Sequence, residues 1–398
     1  MFELVENFLV ALDYTRAKIY IKMKNVLFII ALIFFSLAGI LYLTVSFILP
    51  TLQSLDLSPT ITASSGSFGQ LLSSAKPSAS PIALPPIPQR KVLPGGTQVF
   101  QTFNNCGPAS LSMALSYFDI TVNQQELGQA LRPYQIPGGD NDDKSVTLEE
   151  LAIKASEYGL IPYHRPNGTV EKLKQFIAAD LPVITRTLLH ADDDVGHYRV
   201  VKGYDDELQQ LFQDDSMQGK DLWFSYAAYE QLWQPYNFEY LALVPKEKED
   251  AVKTILGAEI DEQVAWANAV QNSETQLAKN PGDLYARLNL SVALYHTGNY
   301  QQSATEFEKV ESRLPFRTLW YQIEPIEAYV ALKNYDRVLQ ITDVVLNKYN
   351  RAFSELYLIR GEIYKQQGKL DQAKAEFEKA VLYNVNLQAA KEALASVE

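Results

Sequence analysis

The chain has one cysteine in 398 residues and only four histidines, and its 35 Lys and Arg are outnumbered by 47 Asp and Glu. A lone thiol, Cys106, has no partner for an intrachain disulfide. The formal net charge of −12 and the lack of any basic stripe argue against nucleic acid as a partner, since phosphate backbones are held by clustered Lys and Arg. No nucleotide-binding or transporter motif occurs. With 47% hydrophobic and 21% charged residues, the chain can build real cores, and its length suggests two or three domains.

Long uncharged runs are equally scarce, and one stands out: Val26 to Leu49, 24 residues without a charged side chain. At 1.5 Å per residue it spans roughly 36 Å, enough for a hydrocarbon core of about 30 Å. A signal-peptide core is shorter and sits nearer the start. A retained transmembrane helix is therefore expected over 25–49. Arg16, Lys18, Lys22 and Lys24 crowd its N-terminal side, and the next basic residue is Lys76. The positive-inside rule puts residues 1–24 in the cytoplasm and everything after Pro50 outside a cell membrane crossed once. Residues 50–96, rich in Ser and Pro, read as a linker that cannot bury enough apolar area to order itself.

Cys106 opens the run CGPASLSMAL, with Pro108 well placed for a first helical turn. A helix N-terminus favours a thiolate through its dipole and spare N–H groups. Gln101 lies five positions upstream and His197 ninety-one downstream, in GHYRVVKG, followed by Asp214 and Asp215. Thiol, imidazole and carboxylate in that order suit nucleophilic hydrolysis: the imidazole removes the thiol proton and an acidic group fixes its tautomer. The backbone N–H of Cys106 and the amide of Gln101 can form an oxyanion hole. Asp214 and Asp215 are neighbours near a strand end, so they point to opposite faces and one alone reaches His197. Alternation puts Asp215 with Leu211 and Gln213, and Asp214 with Phe212.

Helices are expected from Val146 to Gly159 and over Val170–Ala179. Strands follow at Leu181–Thr185, His197–Gly203 and Leu208–Asp214, making an α+β domain over 97–246. His164, His190 and His296 lack a comparable strand and carboxylate context and read as structural or solvated. The Asp140, Asp142, Asp143 loop lacks the ligand spacing and terminal Glu of an EF-hand. With Asp192, Asp193 and Asp194 it would give an acidic rim. No cofactor or metal is called for.

The segments Q-x4-CGPASLSMAL, DLPVIT, GHYRVVKGYDDE and DDS-x2-G resemble, in this order, the papain-like cysteine peptidase family that includes bacteriocin leader-processing (double-glycine, C39-like) domains. The resemblance covers about 150 residues. It implies a bacterial thiol hydrolase with Cys106 as nucleophile, His197 as base, Asp215 as orienter (Asp214 the alternative) and Gln101 in the oxyanion hole. Two features depart from the pattern. The Gln-to-Cys gap is five where papain-like enzymes more often have six, and Asp215-Ser216 stands where Asp-Pro is usual.

Beyond residue 247 the anchors Tyr300, Tyr335 and Leu370 recur at a period of 35, close to that of tetratricopeptide repeats. Residues 247–398 are therefore expected to be all-helical, with the unit around Leu314–Arg317 and Trp320-Tyr321 departing most from the pattern. Such arrays bind a peptide or protein partner in a concave groove. The leading reading is a membrane-anchored extracytoplasmic cysteine peptidase acting on a peptide or protein substrate. The alternative is an inactive peptidase-like protein that binds through its repeats. The hydrolase site is expected to draw on no repeat residue, so a chain ending near Lys246 should fold alone.

Overall fold

The computed structural model describes residues 86–136 and 146–398. The expected transmembrane helix, the N-terminal segment, most of the linker and the Asp140–Asp143 loop lie outside them. Among the described residues no helix is long and apolar enough to cross a membrane.

Seven strands form one sheet in which every pairing is antiparallel: β1 (Arg90–Val92), β2 (Ile161–Arg165), β3 (Val183–Leu188), β4 (Gly196–Asp205), β5 (Gln210–Asp215), β6 (Gly219–Ser225) and β7 (Tyr240–Val244). The order is β2-β7-β3-β4-β5-β6, with β1 added beside β4. Residues 90–92, assigned to the linker by composition, thus belong to the sheet. A three-residue strand is too short to show an alternating pattern.

Helices cover both faces of this sheet. On one lie α1 (Cys106–Ser116) and α3 (Leu148–Ser156), whose Leu111, Leu115, Leu148 and Leu151 pack on Ile184, Tyr198, Val200 and Leu241. Between them comes α2 (Gln124–Leu131), a helix the sequence pattern did not single out. On the other face α4 (Val170–Ala178), α5 (Tyr226–Trp233) and α6 (Glu249–Leu256) bury Phe176, Tyr229, Trp233 and Val252 against Val183, Val201 and Tyr240. Successive residues of β3 and β7 therefore serve different cores, as the two-residue period of a strand requires. All ten residues of β4 are buried, the polar His197, Arg199, Lys202 and Asp205 among them. The helix α6, placed with the repeats by sequence, packs into this second core instead.

The chain then continues as helices: α7 (Glu262–Lys279), α8 (Leu284–His296), α9 (Tyr300–Glu308), α10 (Thr318–Tyr321), α11 (Glu324–Ala331), α12 (Tyr335–Val344), α13 (Ser354–Gln366), α14 (Leu370–Tyr383) and α15 (Gln388–Ala395). The three anchors are the first residues of α9, α12 and α14. Two positions before each lies a left-handed residue: Gly298 at φ +77°, Lys333 at φ +56° and Gly368 at φ +73°. Glycine takes that conformation without a Cβ penalty, and the middle unit does without it.

The helical array is not a separate body attached by a linker. Leu188, Leu232 and Tyr236 of the α+β region share one apolar cluster with Trp266, Leu288, Trp320 and Tyr321. Polar contacts add to it: Gln322 Nε2 donates to Pro235 O at 2.9 Å, and Asn289 Nδ2 to Gln234 O at 2.6 Å. Farther along, Arg132, between α2 and α3, pairs with Glu150 and, at 2.9 Å, with Glu355 of α13.

Candidate active site

Cys106 is the first residue of α1, preceded by Asn104 in the left-handed region at φ +55° and by Asn105, whose Nδ2 donates to Thr102 Oγ1 at 2.8 Å. As the first residue of the helix, its N–H is one of those left without an intrahelical acceptor. The thiol is buried. Helix position was expected to favour the thiolate, but burial outweighs it: the pKa is pushed up from 9.0 to about 11, against smaller lowering effects of the Gly107 N–H and the Arg186 cation. The resting group is a thiol.

His197 lies near the start of β4, and its Nε2 is 2.9 Å from Asp215 Oδ1. Burial and, to a lesser extent, the nearby Arg199 charge hold the imidazole below its ordinary range, partly opposed by Asp215. Asp215 is buried too, which would raise its pKa. The His197 contact, the Arg199 charge and backbone donors reverse that and hold it down to about 2. An ionised carboxylate only accepts, so the neutral ring must place its proton on Nε2 and present the Nδ1 lone pair elsewhere. The same Oδ1 accepts from Met217 N at 2.7 Å and Gln218 N at 2.8 Å. Asp214 faces the other way, where Lys202 Nζ reaches its Oδ1 at 2.6 Å and Asp221 N at 3.0 Å.

Gln101 is held by Ser216 twice: its N donates to Ser216 O at 2.8 Å, and its Oε1 accepts from Ser216 Oγ at 2.8 Å. With Oε1 occupied, Nε2 remains as the amide's donor. The serine that stands where the family pattern has proline is thus an anchor for the Gln101 amide, and proline could not supply that hydroxyl. Gln101, Cys106 and His197 line one cleft of about 370 Å³ together with Phe103, Gly196 and Met217. Asp215 stands behind His197, outside the cleft lining.

The remaining wall was not foreseen. Arg317, Trp320 and Tyr321, from α10 and the residue before it, line the same cleft. Gly196, beside His197, has no room for a Cβ: one built there would lie 2.7 Å from the Tyr236 hydroxyl and 3.0 Å from the Tyr321 ring. Arg186, buried on β3, donates to Tyr321 O at 2.6 Å and lies 4.8 Å from the centre of the Tyr236 ring. Arg317 pairs with Asp194 at 2.6 Å, so one member of the expected acidic rim is neutralised by the array. The expectation that the site draws on no repeat residue is therefore corrected. The signal was present in the sequence as the unit that fits the repeat pattern least.

Arg199 is a second residue the sequence reading passed over. It sits opposite Asp215 in the β4–β5 ladder, and its other donors go to Thr187 Oγ1, to Leu188 O and to Leu189 O, the latter two at 2.8 Å. An arginine within a strand expected to be buried was the available clue. The other three histidines have plain surroundings: His164 meets Glu239 at 3.1 Å, His190 is exposed, and His296 stacks on Trp266 with ring centres 3.7 Å apart.

Residues 82–241 match the model of the Peptidase_C39 like family, and residues 354–384 match the tetratricopeptide repeat. The chain therefore carries a C39-like peptidase domain of α+β fold followed by a tetratricopeptide-type helical region. No curated protein matches it. Among solved structures it is similar to a C39-like peptidase from Bacillus anthracis, with 18% identity, 39% of this chain and 98% of that one covered, and a TM-score of 0.35. The peptidase domain of Streptococcus ComA, a bi-functional ABC transporter, gives 20% identity, 37% and 98% coverage and a TM-score of 0.30. A tetratricopeptide repeat protein from Parabacteroides merdae gives 22% identity, 38% and 64% coverage and a TM-score of 0.29.

Proposed function

We propose that the protein is a membrane-anchored, extracytoplasmic cysteine peptidase. The observation that carries the chemistry is the cleft shared by Cys106, His197 and Gln101, with Asp215 fixing the His197 ring from behind. Substrate binding brings a carbonyl carbon to Cys106 Sγ. As the S–C bond forms, the thiol proton passes to His197 Nδ1, and the developing oxyanion is received by the Gln101 amide and the Cys106 N–H. The imidazolium then protonates the leaving amine, and water, deprotonated by the same ring, hydrolyses the thioester. Because the resting pair is neutral, proton transfer accompanies attack rather than preceding it.

Labelling of the intact chain with a thiol-directed electrophile, alongside hydrolysis of a fluorogenic peptide mixture, tests this reading. Cys106→Ala should abolish both, and His197→Ala should slow both. Hydrolysis that survives Cys106→Ala would overturn it.

A second reading has one observation in its favour. The buried thiol, pushed up to about 11, is what a retired site that binds without cleaving would show. Absence of hydrolysis with retained peptide binding would favour it.

The anchoring part of the proposal rests on the uncharged Val26–Leu49 run and the Arg16–Lys24 cluster before it. Protease added to intact spheroplasts should release a soluble fragment by cutting in the linker. Complete protection would reverse the orientation.

A further inference from the structure

Beside the cleft lies a second cavity, of about 410 Å³, that the hydrolase reading leaves unused. Phe307, Leu319 and Ile341 line it along with Phe316, Val344 and Tyr349. The two cavities share a wall. Within the single stretch 315–321, Pro315, Phe316, Thr318 and Leu319 face the second cavity, while Arg317, Trp320 and Tyr321 face the cleft. The Phe316 and Trp320 rings meet edge to face at 5.7 Å, and the Arg317 guanidinium lies 4.4 Å and 5.3 Å from their centres.

The charges at this junction are matched within the protein. Arg317 pairs with Asp194, and Arg337, on the second cavity's lining, pairs with Glu311. What the second cavity offers a ligand is therefore apolar surface. Five of the fifteen large apolar side chains exposed among the described residues line one cavity or the other: Phe103 and Met217 the cleft, and Phe316, Val344 and Tyr349 its neighbour. Scattered exposure is ordinary, whereas exposure gathered around adjoining hollows marks a surface built to be covered.

We propose that the second cavity is a subsite for the polypeptide that occupies the cleft, taking an apolar, preferably aromatic, segment a few residues from the bond presented to Cys106. The occupant follows from continuity: an extended chain leaving the cleft over Trp320 and Arg317 meets Phe316 and Leu319 next. This deepens the peptidase reading and rests on it for the presence of a chain in the cleft. Seating one aromatic side chain should speed capture roughly tenfold or more.

The test uses the full chain and peptidyl vinyl sulfones, which alkylate a cysteine by addition. One series carries Gly-Ser spacers of increasing length, on either side of the electrophile, ending in Leu-Phe; a matched series ends in Ser-Asn. At some spacer length the Leu-Phe probe should label Cys106 about tenfold faster than its Ser-Asn partner. Within Phe316→Ser and Tyr349→Ser that ratio should fall toward one, while Leu370→Ser, an exposed apolar position elsewhere, should keep it. Equal rates at every length, or an advantage that persists in both cavity variants, would overturn the subsite. If no vinyl sulfone labels Cys106, the peptidase reading fails separately. Fluorescence anisotropy of the Leu-Phe peptides on Cys106→Ala then decides the cavity alone: binding lost in Phe316→Ser upholds it, and no binding or unchanged binding overturns it.

Discussion

Arg199 and Asp215 face one another across the β4–β5 ladder, with Arg199 Nε 3.1 Å from Asp215 Oδ2, while His197 approaches the other carboxylate oxygen. All three side chains are buried. The His197 contact and, after it, the guanidinium charge hold Asp215 ionised, and the same charge adds to burial in keeping His197 neutral. One buried cation therefore contributes to the protonation of two members of the candidate triad, from outside the cleft lining.

Asp215→Asn should cripple hydrolysis, by about 10⁴ if the loss resembles that in a serine triad, because the imidazole then has no carboxylate to select its tautomer. Asp214→Asn should be mild, since that carboxylate serves Lys202 and Asp221. Turnover of a fluorogenic peptide by both variants is the measurement, and the reverse ranking would exchange their roles.

Stability in acid should carry an Asp215 signature. Its folded pKa, about 2, lies below the ordinary 3.8. The carboxylate's stabilising contribution is therefore full above about pH 4 and is lost as pH falls toward 2. Urea denaturation across this window should show a shallower acid loss in Asp215→Asn than in the parent chain. Parallel acid limbs would mean that the contribution comes from other groups.

Alkylation of Cys106 by iodoacetamide should still be rising at about pH 10, because the thiol titrates near 11. A rate already level from about pH 5 upward would instead reveal a standing thiolate–imidazolium pair.

A chain ending near Lys246 should not remain folded and soluble. It would expose Leu188, Leu232 and Tyr236, which lie in the cluster shared with the array. At about 1.5–3 kcal/mol per large apolar side chain, the loss rivals the 5–15 kcal/mol that typically holds a domain together. Size-exclusion chromatography and near-ultraviolet circular dichroism read the outcome. A monodisperse, native-like product would show that the peptidase domain stands alone.

Lys333→Gly should stabilise the array by about 1 kcal/mol, since lysine occupies the left-handed position that glycine fills in the units before and after. Urea midpoints compare the two, and an unchanged or lower midpoint would mean that the Lys333 side chain contributes more than its backbone costs.

The sequence carried the chain order Cys106, His197, Asp215 and the strand alternation that separates Asp215 from Asp214, because both depend on near neighbours. The 35-residue period was visible for the same reason: it places Tyr300, Tyr335 and Leu370 at equivalent helix starts. What was not legible depends on distant packing. Nothing local shows that Trp320 and Tyr321 come to lie beside Gly196, or that Arg199 turns toward Asp215 instead of solvent. The Gln-rich α2 is eight residues long with only two leucines, too short and too polar to announce itself, and Val92 fits beside β4 because Gly203, opposite it, carries no Cβ.

The closure of the cleft by α10 also has a temporal side. Trp320 follows Cys106 by 214 positions, and ribosomes add about 5–20 residues per second. Roughly 10–40 s of synthesis separate the thiol from the wall that faces it. A nascent chain passes through a stage in which the nucleophile already exists and the aromatic wall opposite it does not. The enclosed cleft is the work of the last third of the polypeptide, so a ribosome that stalls early leaves an open thiol rather than a finished site.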